Sequence, residues 1–265
     1  MIVDAHVHTG GYDGYSTEDV LRLADRVGID RIFATDISAI HYDSAEGNRR
    51  LAEDMKRHPD RIIGYASLSS ARFGRQAVEE LQRCYEVYGM RGLKIIHQTA
   101  GLGSYALLTT INEPAMYPII AKAAEFGMPV LAHATAEECA GLCDAVPEAI
   151  IIMAHTGGCP TAMGDWHRAI EVAKHYPNIY LDTASSQSDM GYLEAMVAGV
   201  GAQRVVFGTD MPLIDPFFGY SKVLGADLTD EEKSLILGGN ILRLVGQSDA
   251  LAQRKEKGQG SHGNH

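Results

Sequence analysis

Eight short, almost continuously apolar runs punctuate the chain, and they constrain its fold more than any other feature. They cover residues 1–6, 31–36, 62–68, 92–97, 129–133, 150–155, 179–182 and 205–210. A strand with one solvated face alternates apolar and polar residues. A parallel strand covered on both faces does not need to. Amphipathic segments separate the runs. Ser16-Thr17-Glu18-Asp19 precedes Val20, Leu21, Leu23, Ala24 and Val27 and gives way to Gly28, the pattern of a capped helix closed by glycine. Thr135-Ala136-Glu137-Glu138 and Thr229-Asp230-Glu231-Glu232 read as two more capping boxes. Asn112-Glu113-Pro114 is expected to open another helix, with Pro114 near its first turn. Strand then helix, eight times over, predicts an α/β protein, a single (β/α)8 TIM barrel with room for slight distortion and with its active site at the C-terminal mouth. The 265 residues match the length of about 250 typical of that fold. A doubly wound open sheet fits less well, because no glycine-rich phosphate loop follows any run. The barrel is expected over residues 1–246, and the polar residues 247–265 as a flexible C-terminal tail. The long connection over residues 98–112 reads equally as a flap over the mouth or as a passive loop.

Composition narrows the function class. The chain has 23 Lys and Arg against 34 Asp and Glu, a formal charge of −11. Nothing here builds a basic face, which argues against nucleic acid or an anionic membrane as partner. No apolar run reaches the roughly 18 residues needed to span a bilayer. The start, Met1-Ile2-Val3-Asp4-Ala5-His6, lacks signal-peptide character, so a cytoplasmic location is expected. Four cysteines are too few for a disulfide scaffold. Cys139 and Cys143, four apart on a helix, read as apolar packing rather than a metal pair.

The chemistry is written where the runs end. His6 and His8 form a His-x-His at the end of the first, and residues two apart on a strand share a face. His133 ends the fifth run, His155 the sixth and Asp210 the eighth. In a barrel all five converge on the C-terminal mouth, where active sites of this fold sit. Imidazoles and a carboxylate suit Zn²⁺, and also Mn²⁺, Co²⁺ or Fe²⁺. A catalytic ion needs an open position, which zinc gains by becoming five-coordinate or by holding Asp210 weakly.

At these residues the chain resembles the amidohydrolase superfamily, in its amidohydrolase-related branch of metal-dependent TIM-barrel hydrolases. The resemblance rests on Asp4-Ala5-His6-Val7-His8, Gly92-Leu93-Lys94-Ile95, Glu113-Pro114-Ala115-Met116-Tyr117-Pro118 and Gly127-Met128-Pro129-Val130-Leu131-Ala132-His133. It continues through Ala154-His155-Thr156-Gly157-Gly158, Tyr176-Pro177-Asn178-Ile179-Tyr180-Leu181-Asp182-Thr183, Gly208-Thr209-Asp210-Met211-Pro212 and Gly239-Asn240-Ile241-Leu242-Arg243-Leu244. It implies His6, His8, His133 and Asp210 as ligands of a divalent cation, most often zinc. His155 would be the acid/base residue or a ligand of a second ion. Related binuclear enzymes carry a carboxylated lysine at the place of Lys94, in which case His133 and His155 would hold the second ion. An unmodified Lys94 would instead bind a substrate carboxylate or pair with Asp210, set back from the metal that repels it. One ion is favoured over two.

Asp210 and His155 are thus the catalytic candidates. Asp210 would take or share the proton of a water whose pKa the ion draws towards about 7. His155 would polarise a carbonyl or protonate a leaving group, or serve as a hydrogen-bonded neighbour of the ligands. Lys94, His97 and Tyr12 are the substrate-binding candidates. Asp36, Ser69, Asp182 and Thr183 also end strands, and Asp182 is a candidate acceptor that holds an imidazole. His41 and His167 read as solvated, His58 and His175 as residues of the opposite end of the barrel. The leading function is a metal-dependent hydrolase of a small ester, lactone or amide. The first alternative is a metal-dependent lyase, a non-oxidative decarboxylase, for which Lys94 and Arg72 are the cations at hand. The second is a non-catalytic metal- or ligand-binding barrel. The expected partner is a small-molecule substrate, with a homodimer or higher homo-oligomer left open.

Overall fold

The protein is described by a computed structural model, over residues 1–11, 14–68, 74–96, 111–159, 162–246 and 248. Tyr12, Ser69, Arg72, His97, most of the 98–112 connection and the tail apart from Ser248 lie outside those residues. The chain runs β1 (Val3–Thr9), α1 (Thr17–Arg26), β2 (Arg31–Asp36), α2 (Ile37–His41), α3 (Ser44–Arg57), β3 (Ile62–Ser67), α4 (Arg75–Glu86), β4 (Gly92–Ile96), α5 (Tyr117–Glu125) and β5 (Val130–His133). It continues α6 (Ala136–Ala145), β6 (Ile151–Met153), α7 (Trp166–His175), β7 (Ile179–Asp182), α8 (Tyr192–Val200), β8 (Val205–Val206), α9 (Pro216–Gly225) and α10 (Asp230–Ser234). The eight strands form one parallel sheet in sequence order. Residues just beyond β8 close it onto β1: Ala5 N donates to Phe207 O at 2.8 Å, Asp210 N to His6 O at 2.9 Å and His8 N to Met211 O at 2.9 Å. This is the expected (β/α)8 barrel.

The three capping boxes form as read. Ser16, Thr135 and Thr229 each accept the amide three residues on, and Asp19, Glu138 and Glu232 each reach back to the cap. Such a cap satisfies two otherwise unpaired amides and is worth about 1 kcal/mol. Three boundaries differ from the sequence reading. β1 runs on to Thr9, so His6 and His8 lie within the strand. α5 starts at Tyr117 with Pro118 in its first turn, because Glu113 and Met116 are used in a preceding turn. β8 has two residues; beyond it Asp210 adopts a left-handed φ of 63° and the chain meets β1 again at the Val7–Met211 bridge.

Two apolar clusters make the core. One lies between strands and helices and takes the outward residues, such as Ile32, Leu93, Val130, Ile151 and Leu181. The other fills the lower barrel with Val3, Ala5, Phe33, Ile63, Tyr65, Leu131, Ile152 and Val206. Because the strands are covered on both faces by these clusters, they show no polar alternation in sequence. Gly92 belongs to the inner layer for a steric reason: a Cβ there would stand 2.2 Å from two carbons of the Tyr65 ring. Gly92→Ala should therefore lower unfolding free energy by about 1–3 kcal/mol through overpacking, read by chemical denaturation, whereas the same change at open Gly225 should leave it within about 0.5 kcal/mol.

Candidate metal centre

The two histidines of β1 reach the interior because the strand changes phase. Its register against β2 shifts between Asp4 and Val7. Below the shift Val3 and Ala5 join the inner cluster. Above it Val7 joins the outer one, and His6 and His8 take the inward positions. A bulge re-aims side chains in this way. Asp4 secures it. One carboxylate oxygen accepts His6 N and Thr209 N, both at 3.0 Å, and the other accepts Thr209 Oγ1 at 2.5 Å. Burial pushes the Asp4 carboxyl up to about 8, against the pull of the Thr209 hydroxyl and those two amides. This crosslink binds the start of the chain to the loop that carries Asp210. Nothing in the sequence pattern marks Asp4 for this role.

Three ligand atoms then meet. Asp210 Oδ1 lies 3.0 Å from His8 Nε2 and 3.5 Å from His6 Nε2, and the three residues offer donor atoms within 4.8 Å of one another. His6 Nδ1 lies 2.7 Å from Asp182 Oδ2. A carboxylate only accepts, so the ring proton sits on Nδ1 and the Nε2 lone pair faces the mouth. Burial, reinforced by Lys94 and His155, holds His6 far below the usual histidine pKa. Burial also lowers His8, opposed by Asp210. Both rings are therefore neutral and able to ligate. Burial alone would raise Asp210, but His8, His155 and Lys94 outweigh it and keep the carboxyl below its usual range. His8 Nδ1 and Asp210 Oδ1 are buried without a hydrogen-bond partner among the described residues. Two neutral imidazoles and an ionised carboxylate, converging in a buried site, are a donor set that fits a divalent ion such as Zn²⁺ or Mn²⁺. His6, His155 and Asp182 also approach within 4.8 Å. There, however, Asp182 is spent on hydrogen bonds: it accepts His155 N at 3.2 Å and Ala184 N at 3.0 Å besides His6. It acts as the imidazole-holding acceptor that the sequence reading considered.

Lys94 lies against these groups. It does not stand back from the ligands: its Nζ lies 2.8 Å from His6 Nε2, on the lone pair a metal would take. Burial brings its amine down to about 8, against the attraction of Asp210 and Asp182. A charged Lys94 and a cation therefore compete for His6. His155 sits in a turn beyond β6 with a left-handed φ of 55°. Its ring lies 4.8 Å from that of His6 and 4.6 Å from that of His133, centroid to centroid. His133 faces the same pocket, outside the tight group of His6, His8 and Asp210. The pocket holds about 290 Å³, and its lining includes the polar His8, Lys94, His133, His155 and Asp210 and the apolar Ile37, Ile40, Ile96, Leu213 and Ile214. His41 also lines it, which corrects the expectation of a solvated residue. α2 folds back because Asp36 caps it through Ser38 N and Ala39 N and is itself held by Arg50 at 2.9 Å. That places His41 near His8, and burial, with His8 adding to it, lowers its pKa. A five-residue helix is too short for sequence periodicity to reveal. Thr183 faces β8 instead of the pocket, exchanging hydrogen bonds with Gly208. Gly208 is required by crowding: a Cβ there would lie 2.3 Å from Asp182 Oδ1 and 2.8 Å from His6 Cβ. Gly208→Ala and Asp182→Asn should each weaken divalent-metal binding about 10–100-fold, read by competition with a chromophoric chelator.

The sequence matches the Amidohydrolase family over residues 3–247. Several solved structures share the fold. A dihydroxybenzoic acid decarboxylase from Polaromonas sp. JS666, with bound manganese and the inhibitor 2-nitroresorcinol, superposes with a TM-score of 0.75 at 16% identity, over 92% of this chain and 96% of that one. A 2,6-dihydroxybenzoate decarboxylase from Rhizobium gives 0.73 at 18%, over 92% and 98%. A 4-oxalomesaconate hydratase from Rhodopseudomonas palustris gives 0.71 at 20%, over 99% and 100%. At these identities the structures speak for the barrel alone, while the family match spans nearly the whole sequence. A barrel of this order, carrying His-x-His on its first strand and an aspartate after its last, belongs to the amidohydrolase family.

Proposed function

We propose that the protein is a metal-dependent hydrolase that opens a small ester, lactone or amide. The observation that carries this reading is the meeting of His6 Nε2, His8 Nε2 and Asp210 Oδ1 in a buried site. One divalent ion, zinc before manganese, cobalt or iron, would be held by these three, with His133 as the neighbouring fourth donor. Bound there, it supplies Lewis acidity and lowers the pKa of water towards about 7. Asp210, kept ionised by its neighbours, accepts the proton that the attacking water loses. His155 donates through Nδ1 to Ala184 O, so its Nε2 bears a lone pair in the neutral ring. That nitrogen takes the proton that Asp210 has accepted and delivers it to the leaving group, which returns both residues to their starting forms. The isoleucine and leucine wall excludes water and favours a compact, partly apolar substrate. His41 contacts that substrate from α2. Tyr12 and His97, which follow β1 and β4 in the sequence, remain substrate-binding candidates.

A second reading, a lyase that releases CO₂, draws support from Lys94. A buried ammonium at the pocket floor would hold a substrate carboxylate, and two of the fold neighbours are named as decarboxylases. In either reading the partner is a small molecule. Among the described residues no helix is long and apolar enough to cross a membrane.

Metal analysis should find close to one divalent ion per chain, and removal with a chelator should abolish turnover until metal is restored. His6→Ala should lose metal and activity together. His155→Ala should keep the metal and lose turnover by about 100-fold or more. His41→Phe should keep metal and raise KM. A panel of lactones, esters, amides and aromatic acids, followed by acid release and by CO₂ evolution, separates hydrolysis from decarboxylation. A metal-loaded protein inert across the panel would refute both.

A further inference from the structure

The residue that holds His155 in its working form lies outside the pocket. We propose that Lys222, on α9, is a positioning residue that fixes the tautomer and orientation of His155 through the backbone of residues 183–185. Its Nζ donates to Thr183 O at 3.0 Å and to Ser185 O at 2.5 Å. These carbonyls flank Ala184, whose own carbonyl accepts His155 Nδ1–H. One ammonium thus clamps both neighbours of the acceptor that sets the ring. Lys222 does not line the pocket, so it acts on the reaction through His155 and not on substrate.

The surroundings suit a fixed cation. Its Nζ stands 4.9 Å from the Phe218 ring centroid and 5.8 Å from that of Tyr192, both faces that attract an ammonium. Burial pulls its amine down to about 8, opposed by Asp182. The same segment is pinned from the other side: Tyr192 OH donates to Thr156 Oγ1 at 2.6 Å and Thr156 Oγ1 to Asp182 O at 2.8 Å. Ala184 N meets Asp182 Oδ1. Remove the ammonium and the two carbonyls lose a charged donor in a buried place, which favours a rearranged loop. The Ala184 carbonyl then leaves His155 Nδ1, and nothing compels the proton to stay there. A ring protonated on Nε2 presents a donor where the reaction needs a lone pair.

The inference rests on the role given to His155 above, and the test separates the two. The metal-loaded full chain and its Lys222→Arg, Lys222→Gln and Lys222→Met variants are compared by long-range ¹H–¹⁵N spectra of the imidazoles, with His155→Asn to assign the signals. Wild type and Lys222→Arg should show His155 protonated on Nδ1 alone. Lys222→Gln and Lys222→Met should show increasing Nε2–H form at unchanged metal content. On any substrate found in the panel, kcat should fall about ten-fold or more, with KM little changed. His155 signals in Lys222→Met identical to wild type would overturn the proposal. If that variant does not fold, identical signals in Lys222→Gln would do the same. Metal loss in these variants equal to that of His6→Ala would also overturn it, since Lys222 would then be acting on the ligands. A shifted tautomer with unchanged kcat supports the clamp and removes His155 from the reaction.

Discussion

The buried carboxylate of Asp182 is the contact on which the site depends. It is fully enclosed, and an enclosed carboxylate costs several kcal/mol unless its oxygens are satisfied. Here they are, by His6 Nδ1, His155 N and Ala184 N. Those donors come from β1, from the turn after β6 and from the loop after β7. One side chain therefore sets the His6 ring, a candidate metal ligand, the backbone of His155, and the loop whose next carbonyl meets the His155 ring. Burial raises the pKa of Asp182, and its neighbours His155 and Lys94 and the two amides oppose that rise. Losing any of them would disturb the rest, the mark of a hydrogen-bonded network in low dielectric.

Around that anchor the packing leaves little latitude. Gly208 cannot carry a side chain without striking Asp182 and His6, and Gly92 cannot without striking Tyr65. Three non-glycine residues at or beside the site, His155, Thr156 and Asp210, hold left-handed φ values. Such conformations cost of order 1–3 kcal/mol each and persist where their surroundings over-determine them. The expense falls on the residues that must aim at one point, while the lower barrel is filled with ordinary aliphatic and aromatic side chains.

Much of this was legible in the sequence, for definable reasons. The barrel was readable because doubly covered strands suppress polar alternation, so each short apolar run stands out between capped helices. His6, His8, His133, His155 and Asp210 were readable because strand ends in a barrel share one rim. What lay hidden depended on small departures from regularity. The shift in β1 that turns both histidines inward leaves no mark in His-x-His, which looks the same in a regular strand. His41 was missed because α2 is a single turn whose direction is set by Asp36 and Arg50, far apart in the chain. Lys222 was missed because it contacts backbone carbonyls, and a carbonyl has no residue type to recognise. Lys94 was recognised as important, as a carboxylated ligand or as an ammonium set back from the metal. Its contact with His6 follows from inward-facing positions on β1 and β4 meeting across the barrel.

The seam that shuts the barrel carries a consequence for biogenesis. The first and last staves meet through Ala5–Phe207, His6–Asp210 and His8–Met211 and through Asp4 and Thr209, and the candidate ligands His6, His8 and Asp210 belong to that seam. During synthesis the opening segment must therefore wait, its edge amides unsatisfied, until some two hundred further residues have left the ribosome. A chain that ends before Asp210 lacks one of the three donors, so a site made of His6, His8 and Asp210 is complete only once the ring is shut.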